Sequence, residues 1–461
     1  MDAVIESAPR APHLRVDVHE PGVRARSRRL SCKIGEQVDF DTQALASYCF
    51  AQWEPLVFDA LLIAAAVEFC DRSQKRAMHQ WARRFEVRLP VHDPHHWGSA
   101  AVSKALLAAL VFLTGDDWQI EFVERHKAQP PPMQSTFVLP TGSHTIIPFS
   151  EGMDSRAVAG LEARSLGPSL LRVRLGSKMS DLACLSRYGQ AFASVPYTVQ
   201  AGAQNFAESS ARSRGFKFAT ISGLTAYLAK AERIIISESG QGALGSALVP
   251  VGQAYEDYRN HPLFTDRMET YFEALLNYRP RFEFPRLWYT KGETLKAFVN
   301  DCPDGAAWAN TWSCWQSARQ VSVGGHKRQC GICAACLLRR QSVHAAGLSE
   351  GTKVYVWEDL TAESFAKGAA KGFTRQTSAL REYAIAGVLH LDHLAALRAT
   401  SAGQGVLQLC AFQLSRSRQL AETEVAQKLE RLLIQHELEW RTFMQSLGAN
   451  SFIADWAADA R

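Results

Sequence analysis

Apolar positions change period along this chain, and each change marks an element. Ile146 to Phe149 is an unbroken apolar run, short enough to be a buried strand. Ser150 to Ser155 is polar and predicts a tight turn. Ala157, Val158 and Leu161 then share one helical face, with Leu166 a turn further on and Gly167-Pro168 as the stop. Leu170-Leu171-Arg172-Val173-Arg174-Leu175 alternates as a strand does. Strand, turn, helix and strand within about thirty residues make a βαβ unit. Its turn falls where a parallel sheet presents ligands to a helix N-terminus.

The flanks read the same way. Residues 1 to 30 are rich in Pro and Arg and predict a frayed or strand-forming leader with no assigned chemistry. Thr42 to Cys70 carries two helical patterns separated by Glu54-Pro55. Phe85 to Val91 alternates like a strand, Ala101 to Leu113 reads as a buried helix, and Trp118 to Phe122 is a second alternating strand. Gln129-Pro130-Pro131-Pro132 marks a boundary. Further on, Ile221, Leu224, Leu228 and Ala231 line a helix face, and Arg233 to Ser237 is a β-branched buried strand. Glu238 to Gly242 follows at its C-terminal end, so the loops 150–155 and 238–242 are expected to face one crevice. Asp266 to Leu276 is helical, and Thr290 and Glu293 have capping-box spacing. Lys291, at that helix start, opposes the macrodipole and predicts an anionic partner.

Beyond residue 345 the pattern is mostly helical, with Val354 to Trp357 a brief extended piece. The last long helix carries Val425, Leu429, Leu432, His436, Trp440, Phe443 and Leu447 as one seam. That seam is expected to pack on its own domain, with His436 a hydrogen-bonded core histidine. Three segments result: an N-terminal accessory α/β domain over 1–140, a central α/β domain over 141–344, and a C-terminal helical domain over 345–461.

Composition narrows the class. Of 461 residues, 47% are hydrophobic and 21% charged, which is ordinary for a soluble globular protein. The net charge of +5 is spread along the chain, with no basic block or Lys/Arg stripe interleaved with aromatics, so there is no strong nucleic-acid signature. Met1 to Glu6 has neither a basic n-region nor a long apolar run, and Ala60–Val67 and Ala105–Leu113 are too short to span a membrane. These features predict a cytoplasmic protein without a membrane partner. Its ten cysteines are unevenly placed and four cluster, which points to a metal before a disulfide framework.

The candidate chemistry falls in two places. In the turn, Gly152 lets backbone N–H groups close around an anion, Ser150 and Ser155 add hydroxyls, and Asp154 makes sense if it holds magnesium or caps the helix. Taken alone, this pattern is equally that of a helix N-cap with Ser and Asp at a tight turn. Downstream stand Cys314 and, fifteen residues later (315–329 intervening), Cys330-Gly331-Ile332-Cys333-Ala334-Ala335-Cys336. Four thiolates that one turn can gather suit a tetrahedral ion, with zinc the default and a four-cysteine iron–sulfur cluster the main rival. Four protein ligands leave no open position, so the metal should be structural. His92, His95 and His96 with Asp93 have spacing compatible with a metal, but Pro90 and Pro94 favour a polar interdomain loop. Cys302 is a spare thiol without an assigned role.

Ser150 to Ser155 resembles the Ser-Gly-Gly-x-Asp-Ser pyrophosphate loop of the PP-loop ATPases, with Glu151 in place of the first loop glycine. Joined to Thr290-Lys291-x-Glu293, Thr311-Trp312-Ser313-Cys314 and Cys330-Gly331-x-Cys333-x-x-Cys336-x-x-Arg339, it resembles the 7-cyano-7-deazaguanine synthase (QueC) family over roughly 144–340. The resemblance implies an adenine nucleotide α-hydrolase-like parallel sheet with N-terminal α/β and C-terminal helical additions. It implies an ATP-dependent, C–N bond-forming ligase that adenylates 7-carboxy-7-deazaguanine, after which an amine attacks to give the amide and then the nitrile. Ser150, Glu151, Gly152, Met153, Asp154 and Ser155 would bind ATP with Mg2+, and Asp154, Ser155, Lys291 and Arg214 would be catalytic. Arg212, Glu238 and Gly240 are candidate substrate contacts, and Cys314, Cys330, Cys333 and Cys336 would hold Zn2+ beside the substrate pocket.

Three features depart from the family pattern: Glu151, the long gap after Cys314, and the added segments at both ends. Large versions of this kind look like the QueC-like proteins of bacterial anti-phage operons, especially the Qat type, where partner proteins supply an alternative to ammonia as acceptor. Two other readings stand beside this one: a deazapurine-binding scaffold subunit impaired by Glu151, and a synthase of queuosine biosynthesis. Base thiolation would want a cysteine pair near the loop, where only Cys184 stands. An asparagine-synthetase-like reaction would want a cysteine after the initiator Met, where Asp2 stands.

Overall fold

A computed structural model describes residues 12–49, 53–76, 82–127, 144–150, 152–175, 192, 194–202, 205–209, 211–251, 256–316 and 320–458. In chain order its elements begin with β1 (His13–His19), β2 (Leu30–Lys33), β3 (Val38–Phe40), α1 (Thr42–Cys49) and α2 (Pro55–Ser73). There follow β4 (Arg84–Val91), α3 (Pro94–Trp97), α4 (Ala100–Thr114) and β5 (Asp117–Glu124). The middle of the chain holds β6 (Thr145–Phe149), α5 (Met153–Leu166), β7 (Leu170–Arg174), β8 (Tyr197–Val199), α6 (Arg214–Ala229) and β9 (Arg233–Ile235). Next come α7 (Ser246–Leu248), α8 (Pro262–Leu276), β10 (Arg281–Glu283), α9 (Lys291–Asp301), β11 (Ser322–Val323), β12 (His326–Lys327) and α10 (Ala334–Ala345). The chain closes with α11 (Ser378–Ala396), α12 (Ser401–Arg418), α13 (Glu422–Leu447) and α14 (Phe452–Ala458).

The chain divides into two compact units. One takes residues up to Ile146, Leu171–Ile234 and Phe264–Phe282; the other takes Ile147–Leu170, Ile235–Leu263 and Glu283 onward. The first is organised on a four-stranded sheet, β2-β1-β4-β5, in which every neighbouring pair is parallel. The Pro- and Arg-rich leader therefore contains an inner strand, β1, whose last four residues are buried. Parallel strands must be covered on both faces, and α2 supplies one cover. Pro55 opens α2 at a position where its missing N–H costs nothing, and Val57 to Val67 is buried throughout. β5 is the outer strand and alternates, its Asp117, Gln119 and Glu121 lying away from Trp118.

Burying α2 also buries carboxylates, and each is satisfied. Asp71 and Asp116, both fully buried, clamp the guanidinium of Arg83, whose Nε and Nη2 reach Asp116 at 3.1 and 2.6 Å. Arg83 Nη2 also donates to Asp71 Oδ1 at 2.6 Å, and its Nη1 donates to the carbonyls of Asp71 and Gln74, both at 2.8 Å. All five N–H groups are thereby used. Asp59, also fully buried, accepts from His92 N at 2.8 Å, His92 Nδ1 at 2.7 Å and Trp97 Nε1 at 3.3 Å.

A second four-stranded sheet has the order β10-β9-β6-β7, and β6 and β9 pair in parallel with Ile146 opposite Ile234. Parallel pairing means that the segments after Phe149 and Ile235 leave the same edge of this sheet. The βαβ reading of residues 145–174 holds to within a residue or two at each end. In the second unit α5 packs Val158 and Ala159 on Ile147, Phe149 and Ile235. The helices α10, α11, α13 and α14 share a core with the cysteine segment, built on Trp357, Leu380, Val388, Trp440 and Phe452. The α13 seam is buried at Val425, Leu429, Leu432, His436, Trp440 and Phe443, but it does not pack on the C-terminal segment alone: Val425, Leu429 and Leu432 share a core with Ala243, Leu244 and Leu287. Together these features define an α/β protein with parallel sheets and a helical C-terminal region. Among the described residues no helix is long and apolar enough to cross a membrane.

Removing Arg83 would take the ion-pair partner from the buried Asp116, while Asp71 keeps Arg76 at 2.6 Å, and should cost about 3–5 kcal/mol. Urea unfolding of Arg83→Ala should show a loss of that order. Arg83→Lys should recover only part of it, because one ammonium cannot serve both carboxylates and both carbonyls.

Candidate functional site

The site is built where β6 and β9 end. Ser150 Oγ lies 2.9 Å from Ser155 Oγ, and Gly152 N donates to Ser150 Oγ at 3.2 Å. Ser155 Oγ lies 3.3 Å from Ser237 Oγ, which donates to Pro148 O at 3.2 Å, so the two strand-end segments meet as expected. Gly152 is the N-cap of α5 at φ −70°, a conformation any residue adopts. Glycine is suited here by space, since a Cβ would stand 3.1 Å from Ser150 Oγ. Glu151 lies outside the described residues, as does Cys184.

Asp154 and Ser155 occupy the first turn of α5 and are largely buried. A carboxylate there is favoured by the helix dipole. Asp154 Oδ2 receives Lys291 Nζ, from the first residue of α9, and both side chains are about nine-tenths buried. Lys291 thus has the anionic partner that its position predicts. The first turn of α9 is held by a full capping box: Glu293 N donates to Thr290 Oγ1 at 3.1 Å, and Thr290 N donates to Glu293 Oε2 at 2.8 Å. Asp154 Oδ1 is buried and has no hydrogen-bond partner, nor has the fully buried Ser239 Oγ. A buried orphan carboxylate oxygen costs on the order of 1–3 kcal/mol unless a ligand or cation takes it up.

Glu238 adds a second carboxyl. Burial, and then the Asp154 carboxylate, push its pKa up to about 8, with Lys291 and Arg259 pulling the other way. Asn260 Nδ2 donates to its Oε1 at 2.9 Å, and Arg259 is paired with Asp257. Gly242 leaves the room this carboxyl needs, because a Cβ there would come within 2.2 Å of Glu238 Oε2. Gly240 faces protein: a Cβ would meet Leu287 O at 2.3 Å and Leu432 Cδ2 at 2.5 Å. Arg212 and Arg214 belong to the first unit, where Arg212 Nη1 donates to Thr114 O at 3.2 Å and the Arg214 guanidinium covers the Phe218 ring.

Cys314, Cys330, Cys333 and Cys336 come together with their sulfur atoms all within 4.8 Å of one another, and all four are buried. The Sγ atoms of Cys330 and Cys336 are 3.7 Å apart. Tetrahedral coordination with Zn–S bonds of about 2.3 Å sets sulfurs about 3.8 Å apart, so the donor set fits zinc. Backbone amides point at the sulfurs, with Cys330 N on Cys314 Sγ at 3.2 Å and Cys333 N on Cys330 Sγ at 3.3 Å. Gly331, at φ +86°, makes the left-handed turn that aims them. Arg339 is fully buried and donates through Nη1 to Thr311 Oγ1 at 2.6 Å and through Nε to Glu350 Oε1 at 2.8 Å. It ties α10 to the segment that brings Cys314.

The histidine-rich stretch is not the irregular loop its prolines suggest. Asp93 caps the short helix α3, with its side chain accepting from His96 N at 2.9 Å. The histidines diverge, His92 to Asp59 and His96 Nε2 to Leu275 O at 2.9 Å. Among the described residues the four cysteines are the one gathering of this kind. Cys302 is a buried packing residue beside α5. Asp257, Arg259 and Asn260 reach the site without any sequence signal, since no periodicity or motif marks them, whereas Gln241 lies in the strand-end loop 238–242 already singled out.

Residues 235–347 match the family model of queuosine biosynthesis protein QueC. The match takes in Glu238, Lys291 and the four cysteines, and this part of the chain is QueC-like. The cysteine cluster inside the matched stretch is compatible with zinc. No curated protein matches the chain.

Two outcomes follow from this geometry. The purified protein should carry one zinc per chain by elemental analysis, and Cys333→Ser should lose it together with a marked drop in melting temperature. Glu238 is raised from its ordinary 4.5 to about 8 on folding, so its contribution to stability is full below 4.5 and lost as pH rises through 8. Urea unfolding should therefore show Glu238→Gln gaining stability relative to the parent between those pH values, with a constant difference outside them.

Proposed function

We propose that this protein is an ATP-dependent QueC-like enzyme that adenylates a carboxylate of the 7-carboxy-7-deazaguanine type and transfers it to an amine. The observation that carries the reading is the buried Lys291–Asp154 pair with Asp154 Oδ1 left over. The pair stands at two helix N-termini on the edge where β6 and β9 end, where an open α/β sheet takes its ligands. A PP-loop fold is the form of α/β sheet this reading implies.

In the first step the substrate carboxylate attacks the α-phosphate of ATP, the bond to the β-phosphate breaks, and pyrophosphate leaves. Ser150 and Ser155 offer hydroxyls to the departing pyrophosphate, and Lys291 stabilises charge developing at the α-phosphate. Magnesium, when bound, supplies neutralising charge to the phosphates, and Asp154 Oδ1 is the atom on this chain that would hold it. Glu238 keeps a proton up to about pH 8, so it does not repel the incoming carboxylate and can donate as well as accept at a purine-like edge. In the second step the amine attacks the acyl carbon, AMP leaves and a proton is released. The four-cysteine site has no open coordination position, so its zinc supports the fold rather than a step.

Among QueC-like proteins, the Qat type of anti-phage operon suits the added segments at both ends, with a partner protein as amine donor and a cytoplasmic site of action. Incubation with ATP, magnesium and 7-carboxy-7-deazaguanine should release AMP and pyrophosphate in a substrate-dependent manner. Asp154→Ala should abolish release, and Lys291→Ala should lower kcat by about 10²–10³. Deazapurine binding without AMP would sink the catalytic assignment and leave a binding scaffold.

A further inference from the structure

The helix α13 lies beyond the stretch that matches QueC, yet one of its faces meets the site at four levels. Arg431 Nη1 donates to Trp288 O at 2.9 Å and to Glu293 Oε2 at 2.8 Å, and its Nη2 pairs with Glu293 Oε1. Leu432 fills the space beside Gly240. His436 Nδ1 lies 2.8 Å from Gln241 Nε2, while Gln241 Oε1 accepts from Lys291 N at 2.7 Å. Glu439 Oε1 accepts from Thr290 Oγ1 at 2.5 Å. Spacings of four and three residues keep 432, 436 and 439 on one helical stripe, and the half-exposed Arg431 reaches in beside it.

Each of these bonds ends on residues 238–241 or 288–293, the two segments that carry Glu238 and Lys291. The bond network has a direction as well. His436 is fully buried, and its Nε2 lies 3.1 Å from Leu391 O. A carbonyl can only accept, so Nε2 carries the proton and Nδ1 is the acceptor. The Gln241 amide must then donate to Nδ1, which turns its oxygen toward Lys291 N. Glu439 is pressed so closely on the first turn of α9 that a Cβ on Gly292 would come within 3.0 Å of its Oε1. A helix N-terminus that starts with a buried lysine needs such a restraint, because the dipole repels the ammonium.

We infer that α13 is a strut for the site, and that Arg431, His436 and Glu439 are positioning residues that hold Lys291 on Asp154. This rests on the reading of Lys291 given above, but its structural part can be judged separately. Preorganised groups lose effect when displaced by about an ångström, to the extent of about a hundredfold in rate.

The test uses the full chain with Arg431→Ala, Glu439→Leu and Glu439→Gln. Arg431 is half exposed, so its replacement should leave the fold intact. Hydrogen exchange should rise about tenfold in residues 288–298 for Arg431→Ala and Glu439→Leu, while residues 330–345 keep the parent rate. Glu439→Gln retains an oxygen that can accept from Thr290 and should restore the parent rate. In AMP release with ATP, magnesium and 7-carboxy-7-deazaguanine, kcat should fall by about ten- to a hundredfold with KM for ATP unchanged. Unchanged exchange at 288–298, or an equal rise across both segments, would overturn the strut. If the parent releases no AMP, the proposed activity fails while the exchange pattern still decides the strut.

Discussion

A carboxylate taken out of water needs a cation, and Asp154 obtains one from Lys291 across two helices that are far apart in the chain. Much of the second unit can be understood as the means of bringing that ammonium to that carboxylate. α5 starts directly after β6, so Asp154 arrives at the sheet edge with the helix dipole in its favour. Lys291 arrives with the dipole against it, and the capping box at Thr290 and Glu293 keeps its helix wound to the first residue. Burial, and then the Asp154 carboxylate, make a charge on Glu238 costly, so the second carboxyl stays protonated toward neutral pH although Lys291 and Arg259 pull the other way.

The cysteine cluster solves a different problem. Segments 311–314 and 330–333 have no helix or strand of their own. Four sulfurs converging on one point tie them together, and α10 grows directly from the third ligand, Cys333. From there Arg339 returns to Thr311, so the segment is closed both by the sulfurs and by a buried guanidinium. The helical C-terminal region packs on this same core through Trp357, Val388 and Trp440. Metal binding and the folding of the C-terminal region are thereby expected to be coupled.

Much of this was legible locally. The 146–149 run, the polar turn and the counted face of α5 define a strand, a turn and a helix by period alone, because burial on one face forces that period. Thr290 and Glu293 were legible as a cap for the same reason: a capping box is a contact between residues three apart. The cysteine spacing told its chemistry since few arrangements other than a metal site use four thiols so close together. Proline misled at residues 90–97, where Pro94 opens a helix that Asp93 caps rather than breaking one.

What sequence determined by itself, then, were the elements, their caps and the presence of a four-thiolate site, all of them set by neighbours within a turn or two. Which groups share the site was a tertiary decision. Asp257 and Asn260 have no local pattern, and His436 reads from its helix only as a core residue, yet it sets the orientation of Gln241 some 195 positions away. The leader strand β1 took its inner place only through pairing with β2 and β4. Hydrogen bonds and ion pairs between distant segments depend on where the sheet and helices place their ends, and no period in the chain records that.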